Sequence, residues 1–113
     1  RQPQQRSLSG KQIEELAHLS GTTPEEYIAD QMVYPENLLA KNISGYALCE
    51  FTIDKEGVIL RPHILKATHS EFAEEALRIV KGMPKWSPAL AGGKPTDSNY
   101  TLYIPFRPKL YKP

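Results

Sequence analysis

Side chains that could carry out chemistry are few in this sequence and lie far apart. The three histidines, His18, His63 and His69, fall in different segments without the spacing of metal ligands. The single cysteine, Cys49, has no nearby base to activate it, and it lies in an apolar alternation typical of a buried small side chain. We therefore predict that the chain is not an enzyme and needs no cofactor and no metal.

The remaining chemistry is that of the backbone in the last strand-like run, residues 99–106. Pro105 interrupts this run, and a strand that is hydrogen-bonded on both sides does not accept a proline. We therefore predict an edge strand whose free backbone groups can pair with an extended partner. The run alternates between two faces, with Tyr100, Leu102, Ile104 and Phe106 on one and Thr101, Tyr103 and Pro105 on the other.

Length and charge exclude several classes of protein. A chain of 113 residues is one domain that buries roughly 60–70% of its unfolded surface without metal or disulfide support. Its 14 basic and 13 acidic residues give a net charge of +1, which argues against nucleic-acid and membrane-surface binders. An RNA-binding sheet would also require basic residues beside Tyr46 and Tyr103.

No apolar run reaches the roughly 18–20 residues of a membrane span. The start at Arg1 rather than Met indicates a fragment or a processed form.

Composition divides the chain into four parts. Residues 1–10 are predicted to be a disordered tail or the end of a linker, because the first six are rich in Gln and Pro and have no apolar residue. Residues 11–21 are ambiguous, and a short helix and an extended segment fit their pattern equally. Residues 22–108 form the predicted domain, and residues 109–113 a second tail.

Two short helices are predicted before the first strand. Thr23-Pro24-Glu25-Glu26 has a capping residue, a proline at the first helical position and a glutamate that completes a capping box. A second helix begins at Tyr34-Pro35, and Asn42 is a suitable left-handed terminator. Asn42-Ile43-Ser44 also reads as a glycosylation sequence, but such short strings occur often by chance. We favour the helix-ending role.

The following segments predict the sheet and a third helix. A strand over Gly45–Asp54 turns at Gly57 into a return strand over Val58–Ala67, which Pro62 marks as a bulged edge. A helix follows over Thr68–Gly82, with Thr68 as its capping residue and Trp86 beyond its end as a core anchor. The predicted class is α+β, with a three-stranded antiparallel sheet of order 2-1-3 and the helices packed on one face.

In this arrangement the chain resembles the C-terminal domain of TonB, the periplasmic energy transducer of Gram-negative bacteria. The resemblance covers residues 22–108, and the order and spacing of its motifs are more specific than any single string. Those motifs are Tyr34-Pro35, Gly45, Phe51-Thr52-Ile53-Asp54, Gly57, Glu75-Ala76-Leu77, Trp86-Ser87-Pro88-Ala89, Gly93-Lys94-Pro95 and the tyrosine-rich strand that ends at Phe106.

The resemblance implies a non-catalytic adaptor. Such a domain binds the TonB box, an extended segment of outer-membrane TonB-dependent transporters, by β-strand addition, and couples inner-membrane energy to uptake. It implies a periplasmic location, an inner-membrane anchor through an N-terminal segment, and inner-membrane proton-channel partners. The alternative is a free-standing or sensor-attached module that binds proteins without energy transduction. An open strand edge also permits a strand-exchanged homodimer.

Two departures from the family affect the predicted site. Family members often carry a proline where this chain has Tyr103, and moving the proline by two residues to Pro105 keeps the donor-free position on the same side of the strand. Gln31 matches by spacing a family glutamine that approaches the receptor peptide, but a helix there would direct it elsewhere. For Tyr100 a core role is favoured over contact, and for Tyr103 both are open. The predicted partner-binding residues are Asn99, Thr101, Tyr103, Pro105 and Gln31.

Overall fold

The computed structural model describes residues 13–112 of the 113-residue chain, so the predicted tail at residues 1–10 lies outside it. The helices are α1 (Pro24–Gln31), α2 (Glu36–Ala40), α3 (Ser70–Lys81) and a final 3-10 turn (Pro108–Leu110). The strands are β1 (His18–Leu19), β2 (Gly45–Ile53), β3 (Ile59–Ala67), β4 (Trp86–Ser87), β5 (Ala89–Ala91), β6 (Lys94–Thr96) and β7 (Ser98–Phe106).

The three long strands form one antiparallel sheet in the order β3-β2-β7. This confirms the predicted order, in which the first long strand is central and the last lies at an edge. The β2–β3 pairing shifts register twice, and Arg61, next to Pro62, adopts a left-handed conformation with a φ of 53°. The predicted bulge at Pro62 is therefore confirmed, and the two prolines Pro62 and Pro105 lie on opposite edges of the sheet.

All three helices pack on one face of this sheet. Ile28 of α1, Leu38 of α2 and Phe72 of α3 join a single core with the buried side chains of the strands. Phe72 stacks on Phe106 of β7 with 4.2 Å between ring centroids, and Trp86 is buried against Phe51. The predicted α+β class and the predicted core anchor are both confirmed.

The start of α1 follows the predicted capping box. The backbone N–H of Glu26 donates to Thr23 Oγ1 at 3.1 Å, and the backbone N–H of Thr23 donates to Glu26 Oε1 at 3.3 Å. After α2, Asn42 has a φ of 58°, which confirms its left-handed, helix-ending conformation.

The predicted cap of α3 is wrong. The capping position is His69, and its side chain makes no capping hydrogen bond. Thr68 Oγ1 instead accepts a hydrogen bond from the backbone N–H of Tyr46 at 3.0 Å. The Thr68 hydroxyl is therefore held by the start of β2, and this tertiary contact replaces the helix cap that the local sequence predicts.

The described part of the ambiguous lead-in is extended. His18 and Leu19 pair with Trp86 and Ser87, and the backbone N–H of Glu14 donates to the carbonyl of Leu90 at 2.7 Å. The lead-in thus lies against the segment between α3 and β7, in which Gly92 and Gly93 close the β5–β6 hairpin with positive φ values.

Gly57 offers a test of this packing. Its φ is 86°, and a β-carbon there would collide with the carbonyl oxygen of Trp86, whereas a β-carbon at Gly93 (φ 75°) would meet open space. Gly93→Ala should lower the free energy of unfolding by about 1–2 kcal/mol, the cost of a left-handed alanine. Gly57→Ala should cost about 1–3 kcal/mol more because of the collision. Urea denaturation measures both, and equal losses in the two variants would contradict the packing of Gly57 on Trp86.

Candidate functional site

The candidate site is the outer edge of β7. This strand pairs with β2 along its whole length, from Gly45 opposite Phe106 to Ile53 opposite Ser98, without a register shift. Its other side has no strand partner within residues 13–112. We call this side, from Asn99 to Pro105, the β7 edge.

The backbone of Tyr46 shows which groups of β7 reach that edge. Its N–H donates to Thr68 Oγ1, and its carbonyl accepts a hydrogen bond from the N–H of Thr68, each at 3.0 Å. The backbone groups of Tyr46 therefore point away from β7. Because they alternate along a strand, those of Ala47 point towards β7, where they meet Ile104. Pro105, opposite Tyr46, thus lies where its missing N–H costs the sheet no hydrogen bond.

The same alternation assigns the other positions of β7. Leu102 and Ile104 direct their backbone groups to β2, whereas Asn99, Thr101 and Tyr103 direct theirs away from the sheet. The β7 edge therefore presents a regular row of donors and acceptors that ends at Pro105. Whether a partner uses these residues stays a prediction.

The side chains of Asn99, Thr101, Tyr103 and Pro105 lie on the sheet face opposite the helices. Tyr103 is 50% exposed and stacks on Tyr46 with 5.6 Å between ring centroids, and Thr101 is exposed. Asn99 is engaged within the domain, since its Oδ1 accepts a hydrogen bond from the Thr52 hydroxyl at 2.9 Å.

Tyr100 has the favoured core role. Its ring stacks on Phe51 and packs edge-on against Trp86. Burial, with a smaller contribution from the charge of Glu25, raises the pKa of Tyr100.

A groove of about 340 Å³ separates α1 from the β7 edge. Helix α1 lies beside β7, since Glu25 in its first turn and Met32 just after its end line the same groove as Tyr103 and Pro105. Tyr34, two residues after Met32, packs on Phe106 at the end of β7. Residues of the helix, the edge and the C-terminal segment line what we call the α1–β7 groove: Glu25, Ile28, Ala29, Met32, Tyr103, Pro105, Arg107, Leu110, Tyr111 and Lys112.

Gln31 does not belong to this lining. It is exposed at the last position of α1, and its backbone carbonyl accepts a hydrogen bond from Arg78 Nη2 at 2.7 Å. The structure therefore brings Thr101, Tyr103 and Pro105 together at one edge and leaves Gln31 outside the groove beside it.

A charged network attaches the end of α1 to α3. Glu75 is only 9% exposed, and its Oε2 accepts hydrogen bonds from the backbone N–H of Val33 and from Arg78 Nη2, both at 2.7 Å. The hydrogen bonds to Glu75 raise the pKa of Arg78. Since Arg78 also binds the carbonyl of Gln31, this network fixes the wall of the groove.

The possible metal ligands among residues 13–112 do not assemble into a metal site. Between residues 13 and 112 no three His, Cys, Asp or Glu side chains lie close enough to hold a metal ion. Cys49 is fully buried, and burial raises its thiol pKa to about 11. None of the helices in the same range has both the length and the apolarity of a membrane span.

Comparison with known families assigns this domain to one of them. Residues 30–108 match the family described as "Gram-negative bacterial TonB protein C-terminal". The chain belongs to the TonB C-terminal family. A comparison with curated proteins gives no match.

Membership of the TonB C-terminal family carries several general properties. TonB family domains are periplasmic, and this family is a non-catalytic protein-interaction family whose members generally interact with outer-membrane receptors. The match begins at Asp30, so most of α1 precedes it. The helical wall of the groove is therefore largely outside the part that the family comparison covers.

Sequence analysis missed the groove. It predicted the start of α1 from the capping box but did not predict that the helix would line a groove beside β7. Arg107 was not singled out, and Tyr111 was placed in a tail although its ring packs on Tyr34 with 5.5 Å between centroids. These residues are distant in sequence from α1, so no local pattern could bring them together.

The network at Glu75 predicts a stability effect. Glu75→Gln should lower the free energy of unfolding by about 1.5–3 kcal/mol, because glutamine has no charge and keeps only one of the two acceptor oxygens that bind Arg78 and the N–H of Val33. The neighbouring exposed Glu74→Gln is the matched control and should change the stability by less than about 0.5 kcal/mol. Urea denaturation measures both, and equal stability of the two variants would show that the network does not hold α1.

The burial of Cys49 predicts that its thiol is unreactive in the folded domain. Because its pKa is about 11 and its side chain is buried, the native domain at pH 8 should react with Ellman's reagent only as fast as it opens. The same protein in urea should react within minutes. Rapid modification of the native protein would contradict the burial of Cys49.

Proposed function

We propose that this domain is a periplasmic adaptor that captures an extended segment of an outer-membrane TonB-dependent transporter, the TonB box, by β-strand addition. In this proposal it couples energy from the inner membrane to uptake. The observation that carries the proposal is the β7 edge, where Thr101 and Tyr103 direct their backbone groups away from β2. Family membership supports the class of partner.

Backbone pairing suits a transient contact. A guest strand that makes about five hydrogen bonds, each worth roughly 0.5–1.5 kcal/mol net, gains only a few kcal/mol before the cost of ordering the peptide. The affinity is then micromolar or weaker. Such a contact can form and release during transport.

The lead-in segment supports a transmitting role. Residues 13–19 contact the domain through Trp86 and Leu90, and Trp86 packs on Tyr100 near the start of β7. The described lead-in therefore leaves Thr101 and Tyr103 free for a guest. In the proposal, tension on the lead-in reaches β7 through Trp86.

Thr101→Pro tests strand addition directly. Proline removes an N–H that points to the β7 edge and leaves the pairing with β2 complete. Peptides from the N-terminal segments of candidate outer-membrane receptors should bind this variant about tenfold more weakly or worse, because one hydrogen bond is lost and the ring obstructs the guest. Titration of the isotope-labelled domain, followed by amide shifts over residues 99–106, measures the binding.

Thr101→Val is the matched control, since valine keeps both the N–H and the shape of threonine. It should bind the peptides within about twofold of the original domain. Thermal unfolding must show that Thr101→Pro is folded. Undiminished binding by folded Thr101→Pro would contradict strand addition at this edge.

A further inference from the structure

The lead-in pairs with a second edge of the domain, far from β7 in sequence. Residues 15–19 run antiparallel to residues 86–90 in one register, from Glu15 opposite Leu90 to Leu19 opposite Trp86. The backbone N–H of Leu90 donates to the carbonyl of Glu15 at 2.9 Å, and the N–H of Glu15 donates to the carbonyl of Leu90 at 3.2 Å. The chain thus covers this edge with a strand of its own.

This pairing is short and interrupted. Its regular part covers two residues on each side, in β1 and β4, whereas β2 and β7 are nine residues long and pair throughout. In the same register Pro88 lies opposite Ala17, and proline has no backbone N–H to donate. Because few backbone hydrogen bonds hold the lead-in, it can open while the three long strands stay paired.

A hinge separates the lead-in from α1. Gly21 has a φ of 79°, and the space around it is open. Helix α1 begins directly beyond the hinge with its own capping box, formed by Thr23 and Glu26. Since this cap involves no residue of the lead-in, the helix keeps its start when the lead-in moves away.

Trp86 is the side chain that the lead-in covers. Leu19 lies directly opposite Trp86, so the two side chains share one face, and both are buried. Other contacts hold Trp86 without the lead-in: its ring packs on Phe51 and Tyr100, and its backbone N–H donates to the carbonyl of Gly57 at 2.9 Å. Departure of Leu19 would therefore open one flank of Trp86 to water and leave the ring in place.

The indole N–H of Trp86 adds a cost to the covered state. It is buried and has no hydrogen-bond acceptor within residues 13–112. A buried donor without an acceptor destabilises the state that buries it, and access of water would remove that cost.

We propose that residues 13–20 form a releasable latch, which opens as a unit about Gly21 while the β3-β2-β7 sheet stays folded. Opening uncovers Trp86 and frees the backbone edge of residues 87–90. One further step rests on the proposed function: load on the lead-in opens the latch first and then passes to α1. The residues after α1 are held by α3, where Glu75 accepts the hydrogen bond of the Val33 N–H.

Amide hydrogen exchange tests the local opening in the free domain. The amides of Glu15 and Leu90 should exchange at least about a hundredfold faster, relative to unfolded rates, than those of Leu102 and Ile104. Their exchange should hardly change at low urea concentrations, because a local opening exposes little surface. Equal protection and equal urea dependence of all four amides would show that the lead-in opens only with the whole domain, and would overturn the proposal.

Trp86 reports the uncovering, since it is the single tryptophan of the chain. Leu19→Ser removes a buried side chain of the latch and should increase the quenching of Trp86 fluorescence by acrylamide at least about twofold. Leu16→Ser is the matched control in the same segment, because Leu16 is 57% exposed, and it should leave the quenching unchanged. Slow exchange of Leu102 in both variants shows that the sheet is folded. Equal quenching of the two folded variants would contradict the covering of Trp86 by the latch.

A disulfide tests whether the latch opens as a unit. The hydroxyl oxygens of Ser20 and Ser87 lie 3.0 Å apart, so sulfurs at these positions are within reach of a disulfide. Oxidation of the Ser20→Cys, Ser87→Cys double variant should slow the exchange of the Leu90 amide at least about tenfold, and reduction should restore it. Ser87→Cys alone should not respond to the oxidant, since Cys49 is buried. Unchanged exchange in the oxidised double variant would show fraying from Ile13 instead of opening about Gly21.

These measurements fail separately from strand addition. They use the domain without a peptide, so a latch that stays closed leaves the binding at Thr101 and Tyr103 untouched. If receptor peptides do not bind the β7 edge, the local opening still stands, but the step that assigns its opening to load is wrong.

Discussion

The uninterrupted pairing of β2 with β7 is the constraint on which the candidate site depends. It fixes the register from Gly45–Phe106 to Ile53–Ser98 and with it the direction of every backbone group in β7. A shift by one residue would turn Leu102 and Ile104 out of the core and would place Pro105 where the sheet needs a donor. The same pairing therefore stabilises the core and leaves Thr101 and Tyr103 facing an open edge.

The helices place a groove beside this open edge. Phe72 and Phe106 anchor α3 on the sheet, and Glu75 of α3 holds the residues that follow α1. Helix α1 is thus fixed at a distance from the β7 edge that leaves a groove rather than a closed contact. An exposed edge is a hazard for aggregation, and Pro105 limits how far along it another strand can pair.

Sequence patterns with a local physical cause predicted most of the fold. Alternation and Pro105 identified the edge strand, and the Thr23–Glu26 capping box identified α1, because each depends on residues a few positions apart. The predicted helix cap at Thr68 was wrong because the Thr68 hydroxyl accepts a hydrogen bond from the backbone N–H of Tyr46, which is distant in sequence. The conformation of the lead-in could not be predicted because its strand pairs with Trp86 and Ser87, far away in sequence. The groove was missed because its two walls come from opposite ends of the domain.

Amide hydrogen exchange of the single residues of β7 tests the central claim most directly. In the free domain Leu102 and Ile104 should exchange slowly, because β2 accepts their hydrogen bonds, whereas Thr101 and Tyr103 should exchange rapidly. Saturation with a guest peptide should slow Thr101 and Tyr103 and leave the other two unchanged. Thr101 and Tyr103 amides that are already protected in the free monomer, or that remain unprotected in the complex, would contradict the account.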